Sequence, residues 1–243
     1  MSTQGTQGIQ GQKVAVITGA SQGIGAGLVD GYRKLGYAVV ATSRGIGESN
    51  DADVLTVQGD IADPATAERV VSAAVARFGR IDTLVNNAGV FIAKPFTEYT
   101  DEDYAAVTGV NLTGFFHITK LALPHMLAQG GGHIVQITTS LVDHANSEVN
   151  SALASLTKGG LQSATKALAI EYAARGIRSN AVALGLIKTP MHPAEYHETL
   201  AAMHPVGRLG EVSDAVDAVT YLETAPFVTG AILHVDGGQS AGH

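Results

Sequence analysis

From Lys13 onward, short runs rich in β-branched residues alternate with longer amphipathic stretches. The runs are Val14 to Thr18, Ala38 to Ala41, Val54 to Val57, Ile81 to Val85, His133 to Thr138, Ser179 to Ala183 and Ala231 to Val235, and they read as seven strands. Between them, helical periodicity covers about Gly23 to Leu35, Pro64 to Phe78, Asp101 to Gln129, Ser151 to Arg175 and Glu211 to Glu223, each broken by Gly or Pro near its ends. Strands separated by helices cannot pair through hairpins, so crossover connections and a parallel sheet are expected. Runs such as VAVIT, apolar throughout, fit a sheet covered by helices on both faces. The expected fold class is α/β, a doubly wound sheet of seven mainly parallel strands.

One domain should carry the whole pattern. No internal repeat or low-complexity linker divides the 243 residues, and hydrophobic residues make up 45% of them. Residues 13–243 therefore read as a single domain. Residues 1–12 are Gln, Gly, Ser and Thr apart from Met1 and Ile9, too little apolar surface to offset ordering, and read as a flexible leader. The net charge is −7 and no basic cluster exceeds Arg33-Lys34, which argues against nucleic acid as a partner. No apolar run reaches the roughly 18 residues that span a bilayer, and the leader lacks the regions of a signal peptide, so no membrane partner and a cytoplasmic location are expected. Zero cysteines exclude thiolate chemistry, and no His or carboxylate pair repeats at a metal-ligand spacing.

In a doubly wound sheet, ligands sit beyond the carboxyl ends of the strands, where strand order reverses. The first strand runs into Thr18-Gly19-Ala20-Ser21-Gln22-Gly23-Ile24-Gly25 and then a helix. Glycines there permit a sharp turn and close backbone approach to a diphosphate, while the helix amino-terminus supplies free N–H groups. The spacing is TGxxxGIG, and with it the chain resembles the short-chain dehydrogenases/reductases, a Rossmann-like family. The resemblance extends from about Lys13 to Gly238. Asp60-Ile61 follows the third strand, where that family holds adenine. Asn86-Asn87-Ala88-Gly89 follows the fourth and matches its NNAG, and Val235-Asp236-Gly237-Gly238 matches its common ending. Ile187 and Thr189, after Leu184-Gly185, match the segment that touches nicotinamide, although the family commonly reads Pro-Gly there.

The second strand ends Thr42-Ser43-Arg44, with no acid before Glu48. A dinucleotide fold that selects NAD usually places a carboxylate there, whereas Arg suits the 2′-phosphate of NADP. NADP(H) is the expected cofactor, against the plainer reading of Arg44 as a solubilising side chain.

The resemblance implies a catalytic set of Asn, Ser, Tyr and Lys. Asn111, Ser140 and Lys158 match it. The tyrosine does not: four residues before Lys158 stands Ala154, and Leu141 to Gly160 contains no Tyr. Hydride arriving at a carbonyl builds negative charge on oxygen, and a positioned acid must neutralise it. Replacement donors in reach of the motif are His144 in the loop after Ser140, Asp143, Ser151, and Lys158 itself, directly or through water; His144 also reads as an ordinary loop histidine. The leading expectation is an NADPH-dependent oxidoreductase with an atypical site acting on a small carbonyl or imine. A dinucleotide-binding regulator or scaffold without turnover, and a lyase or isomerase on the same fold, are the alternatives. Apolar residues on more than one face of the two long helices imply burial on both sides. With the family's habit of packing these helices together, they point to a homo-oligomer, a tetramer.

Overall fold

The protein is described by a computed structural model covering residues 11–242. The expected leader lies outside the described residues except for Gly11 and Gln12, whose amide donates to the Gly36 carbonyl at 3.0 Å. Among the described residues, seven strands form one sheet: β1 (Val14–Thr18), β2 (Ala38–Ser43), β3 (Val54–Gln58), β4 (Thr83–Asn86), β5 (Gly132–Thr139), β6 (Ile177–Leu184) and β7 (Ile232–Val235). Their order is β3-β2-β1-β4-β5-β6-β7, and every pairing is parallel. The order reverses between β1 and β4, which places a crevice above their carboxyl ends.

The helices are α1 (Gly23–Lys34), α2 (Pro64–Phe78), α3 (Asp101–Thr108), α4 (Phe115–Ala128), α5 (Ala152–Tyr172), α6 (His197–Ala201) and α7 (Val212–Thr224). The strand period of two sends alternate β1 side chains to opposite faces. Ala15 and Ile17 join a core with Leu28, Tyr32, Ala215, Val219 and Leu222 of α1 and α7. Val14 and Val16 join another with Val70, Val71, Ile118 and Met126 of α2 and α4. Helices α1 and α7 touch through small residues: a Cβ at Gly27 would lie 2.4 Å from Val212, and one at Gly31 2.7 Å from Val216.

The single helix expected from Asp101 to Gln129 is interrupted. Residues Gly109–Gly114 form a π-helical segment between α3 and α4. Such a segment inserts one residue and re-aims the side chains before it relative to those after it. Here it accompanies two demands on one turn: Asn111 bonds the Val90 backbone, while a Cβ at Gly114 would meet Ile61 at 3.0 Å.

Opposite the crevice, at the amino ends of the strands, a buried carboxylate ties the sheet to its helices. Glu223 at the end of α7 accepts from Tyr37 (2.8 Å), Thr83 (2.9 Å), Tyr32 (3.2 Å) and His133 Nδ1 (2.8 Å). Burial would raise its pKa, but these donors, led by His133, hold it below the usual carboxylate range. Asn180 accepts from the Ala231 N–H and so presents its amide nitrogen to His133 Nε2 at 3.0 Å. His133 is therefore a neutral ring that donates from Nδ1, and its burial depresses its own pKa.

Candidate functional site

The crevice is a cavity of about 830 Å³. Its inner end is built by the glycine turn. Gly19 and Gly23 have φ of +66° and +54°, and a Cβ on Gly25 would sit 2.1 Å from the Gly19 carbonyl oxygen. Only glycine fits these positions. Asn87 holds the turn from β4, its amide donating to the Thr18 and Gly19 carbonyls at 2.8 and 3.1 Å. The Thr18 hydroxyl accepts from the Asn87 and Ala88 N–H groups. Helix α1 begins here with no side-chain cap on its first turn, so its leading N–H groups face the cavity unpaired. Gly19, Ser21, Gln22, Gly23, Ile24, Gly25, Ser43, Arg44, Asp60, Ile61, Asn87, Ala88, Gly89, Lys158, Gly185, Ile187 and Thr189 all line this one cavity.

At the end of β2, the hydroxyls of Thr42 and Ser43 are buried with no hydrogen-bond partner. Arg44 beside them is exposed, and among the described residues its guanidinium takes part in no ion pair. Arg44 lines the cavity rim beside Ser43, and a guanidinium there suits an anion with several oxygens.

The other end holds Lys158 and Ala154, both lining the cavity. Lys158 Nζ donates to the Ile137 carbonyl at 2.8 Å, and a Cβ on Gly89 would lie 3.0 Å from it. Burial without a carboxylate partner lowers its pKa to about 8. No tyrosine lines the cavity among the described residues.

Five residues expected at this end do not line it, among them Asp143, which accepts from His234 and Gln162, and the buried Ser151. Ser140 is buried with its hydroxyl donating to Gln239 Oε1 at 2.9 Å, with Leu184 O at 3.3 Å. The preceding residue, Thr139, lines the cavity instead. A one-residue step along a strand reverses the face a side chain points to, and the sequence alone does not say where β5 stops. Asn111 is also turned away: its amide accepts from the Val90 N–H and donates to Val90 O and Thr157, fixing the loop behind Gly89. His144 lies outside the lining, and its backbone N–H donates to Ser140 O.

Sequence reasoning missed several lining residues. Gln239 lies beyond the VDGG turn, where no spacing rule singles it out. Met191, His192, Leu200 and Met203 come from the segment between β6 and α7, which forms one wall and includes the short helix α6. With Phe91, Leu141 and Val149 they add a mainly apolar share to the cavity lining.

A sequence profile of the family described as enoyl-(acyl carrier protein) reductase matches residues 19–240. The chain is 39% identical, over 95% of its length and 97% of the relative's, to cis-4-hydroxycyclohexanecarboxylate dehydrogenase of Sinomonas cyclohexanicum. Its fold superposes with a TM-score of 0.88 on 3-ketoacyl-(acyl-carrier-protein) reductase of Brucella melitensis complexed with NADH, at 32% identity over 94% of this chain and 98% of that one. It superposes equally, TM-score 0.88, on ElxO with NADP bound, at 30% identity over 95% and 100% of the two chains.

Proposed function

The chain belongs to the short-chain dehydrogenase/reductase family, and from that premise we propose that it is an NADP(H)-dependent oxidoreductase reducing a small carbonyl or imine, with Lys158 supplying the proton. The observation that carries this reading is a partly desolvated lysine, without a carboxylate partner, in the cavity wall that also holds Ala154.

The residues present fit a dinucleotide. The Gly19–Gly25 turn would take the diphosphate against the start of α1, Asp60 and Ile61 the adenine, and Arg44, beside Ser43, the 2′-phosphate. When bound, the reduced cofactor supplies hydride. Lys158, with a pKa of about 8, is protonated at neutral pH yet gives up its proton readily, and its neutral form suits a desolvated site. The Thr139 hydroxyl takes the role of holding substrate oxygen that the family resemblance gives to Ser140. The apolar side chains Phe91, Met191, Leu200 and Met203 in the lining favour an uncharged substrate.

The test is NADPH oxidation against a panel of ketones, imines and activated alkenes, with cofactor binding measured separately. Consumption that disappears in Lys158→Met supports the proposal. Binding without consumption would instead favour a dinucleotide-binding regulator, which the methyl of Ala154 also suits. Arg44→Ala should weaken NADPH about ten- to a hundredfold and leave NADH nearly unchanged, since a charge-assisted hydrogen bond contributes roughly 1.5–3 kcal/mol; equal losses in a fluorescence titration would remove phosphate recognition from Arg44. Exposed Phe116 and Leu156 on α4 and α5, with Ile170 and Phe227, support assembly into a homotetramer, which sedimentation at micromolar concentration checks.

A further inference from the structure

One stretch of chain supplies two parts of the cavity lining: the strand-end segment 184–189, and Pro190, Met191, His192, Leu200 and Met203 beyond it. One side chain joins them. His204, only 3% exposed, accepts the Leu186 N–H at Nε2 (3.0 Å) and bonds the Leu200 carbonyl through Nδ1 (3.2 Å). An N–H only donates and a carbonyl only accepts, so the ring is neutral and its tautomer is fixed. The chain makes room for it: a Cβ at Gly185 would lie 2.8 Å from His204 Nε2. A glycine that the family resemblance assigns to the cofactor is thus also the seat of the imidazole. Nothing in the proposed chemistry uses this ring.

We propose that His204 is a positioning residue that pins the wall bearing α6 to the Gly185–Leu186 backbone, so that a ligand held by segment 184–189 also orders residues 197–203. Two neighbouring contacts run the same way. His192 Nδ1 bonds Ile187 O at 2.7 Å, and His197 Nε2 bonds His192 O at 2.8 Å. The wall is thereby strung to the strand end by backbone-directed imidazoles, and His204 alone grips both sides while buried. The charged group facing its ring is the Asp236 carboxylate, from the turn after β7; it favours protonation, but burial outweighs it and keeps the ring neutral. An imidazolium would present a donor to the Leu186 N–H and break the pin.

The pin itself can be tested without a ligand, and so independently of the proposed function. Hydrogen exchange by mass spectrometry on the full chain is expected to show peptides over 185–187 and 197–203 exchanging about five- to tenfold faster in His204→Leu than in the native protein. His204→Gln, whose amide can accept and donate at the same two points, should restore most of the protection. After correction for intrinsic rates, lowering the pH below the ordinary histidine range should loosen the native protein as His204→Leu does, and leave His204→Leu unaffected. Adding NADPH should slow exchange over 197–203 in the native protein and in His204→Gln, but not in His204→Leu. Native exchange rates in His204→Leu would overturn the pin, and so would unchanged NADPH protection in that variant. If His204→Leu does not fold, failure of the pH change to loosen the native protein overturns it. Failure of NADPH to bind any of the three proteins would count against the proposed function, leaving the ligand-free comparison to decide on His204.

Discussion

Ala154 and Lys158 sit one helical turn apart, and that spacing was legible because helix geometry puts residues four apart on one face. A positioned acid contributes about 10² to 10⁴ in rate. Ala154→Tyr should therefore raise reduction of simple ketones at least about tenfold, as Lys158 would depress the phenol pKa and the ring would enter space the cavity already offers. Steady-state NADPH oxidation checks this; an unchanged rate with intact cofactor binding would show that proton supply does not limit turnover. With Lys158 in the proposed donor role, the reduction rate of the native protein should fall as pH rises through about 8, where Lys158 loses its proton. Other roles were hidden in the sequence. Thr139 and Ser140 are adjacent hydroxyls, and which one faces the cavity depends on where β5 ends. His204 and Gln239 acquire partners only once segments far apart in the chain meet.

At the level of elements, hydrophobic period and glycine punctuation were sufficient for most of the pattern: β1 and α2 fall on the expected residues, and the other strands shift by at most two positions. The π-helical segment was not legible, because one inserted residue barely alters an apolar periodicity averaged over about eight turns. Helix α6 is too short and polar to stand out. Contact between α1 and α7 was likewise invisible, since Gly27 and Gly31 read as poor helix formers until Val212 and Val216 are seen filling their places. Gly31→Val should overpack that contact at a cost of about 1–3 kcal/mol. Each kcal/mol lowers the melting temperature by about 2–4 °C in a chain of this size, measurable by calorimetry. NADPH binding should weaken as well, because the other end of α1 carries the glycine turn.

For the molecule as a whole, the buried Glu223 makes acid the weak direction. Its folded pKa lies below the usual carboxylate value, so its contribution is complete above that ordinary value and is lost as pH falls below it. His133, also depressed, adds to the loss once pH drops below the ordinary histidine range, because the unfolded chain then binds a proton that the folded one refuses. Urea unfolding should show stability falling as acid protonates the carboxylate, and in Glu223→Gln the portion below pH 4.5 should vanish, leaving a less stable protein whose midpoint varies less with acid. The strand order has a different kind of consequence. Every pairing joins strands consecutive in the chain except β1 with β4, so the sheet consists of two blocks meeting at one seam, with the exposed Gly79 turn between them. A polypeptide severed at that turn would leave two pieces, each keeping its own strand pairings and reuniting through the seam, the α1–α7 and α2–α4 contacts and the Glu223 cluster. The ligand crevice straddles that seam, which makes the dinucleotide a molecular glue for the halves: a split version of this protein would reassemble as a reporter of its own cofactor.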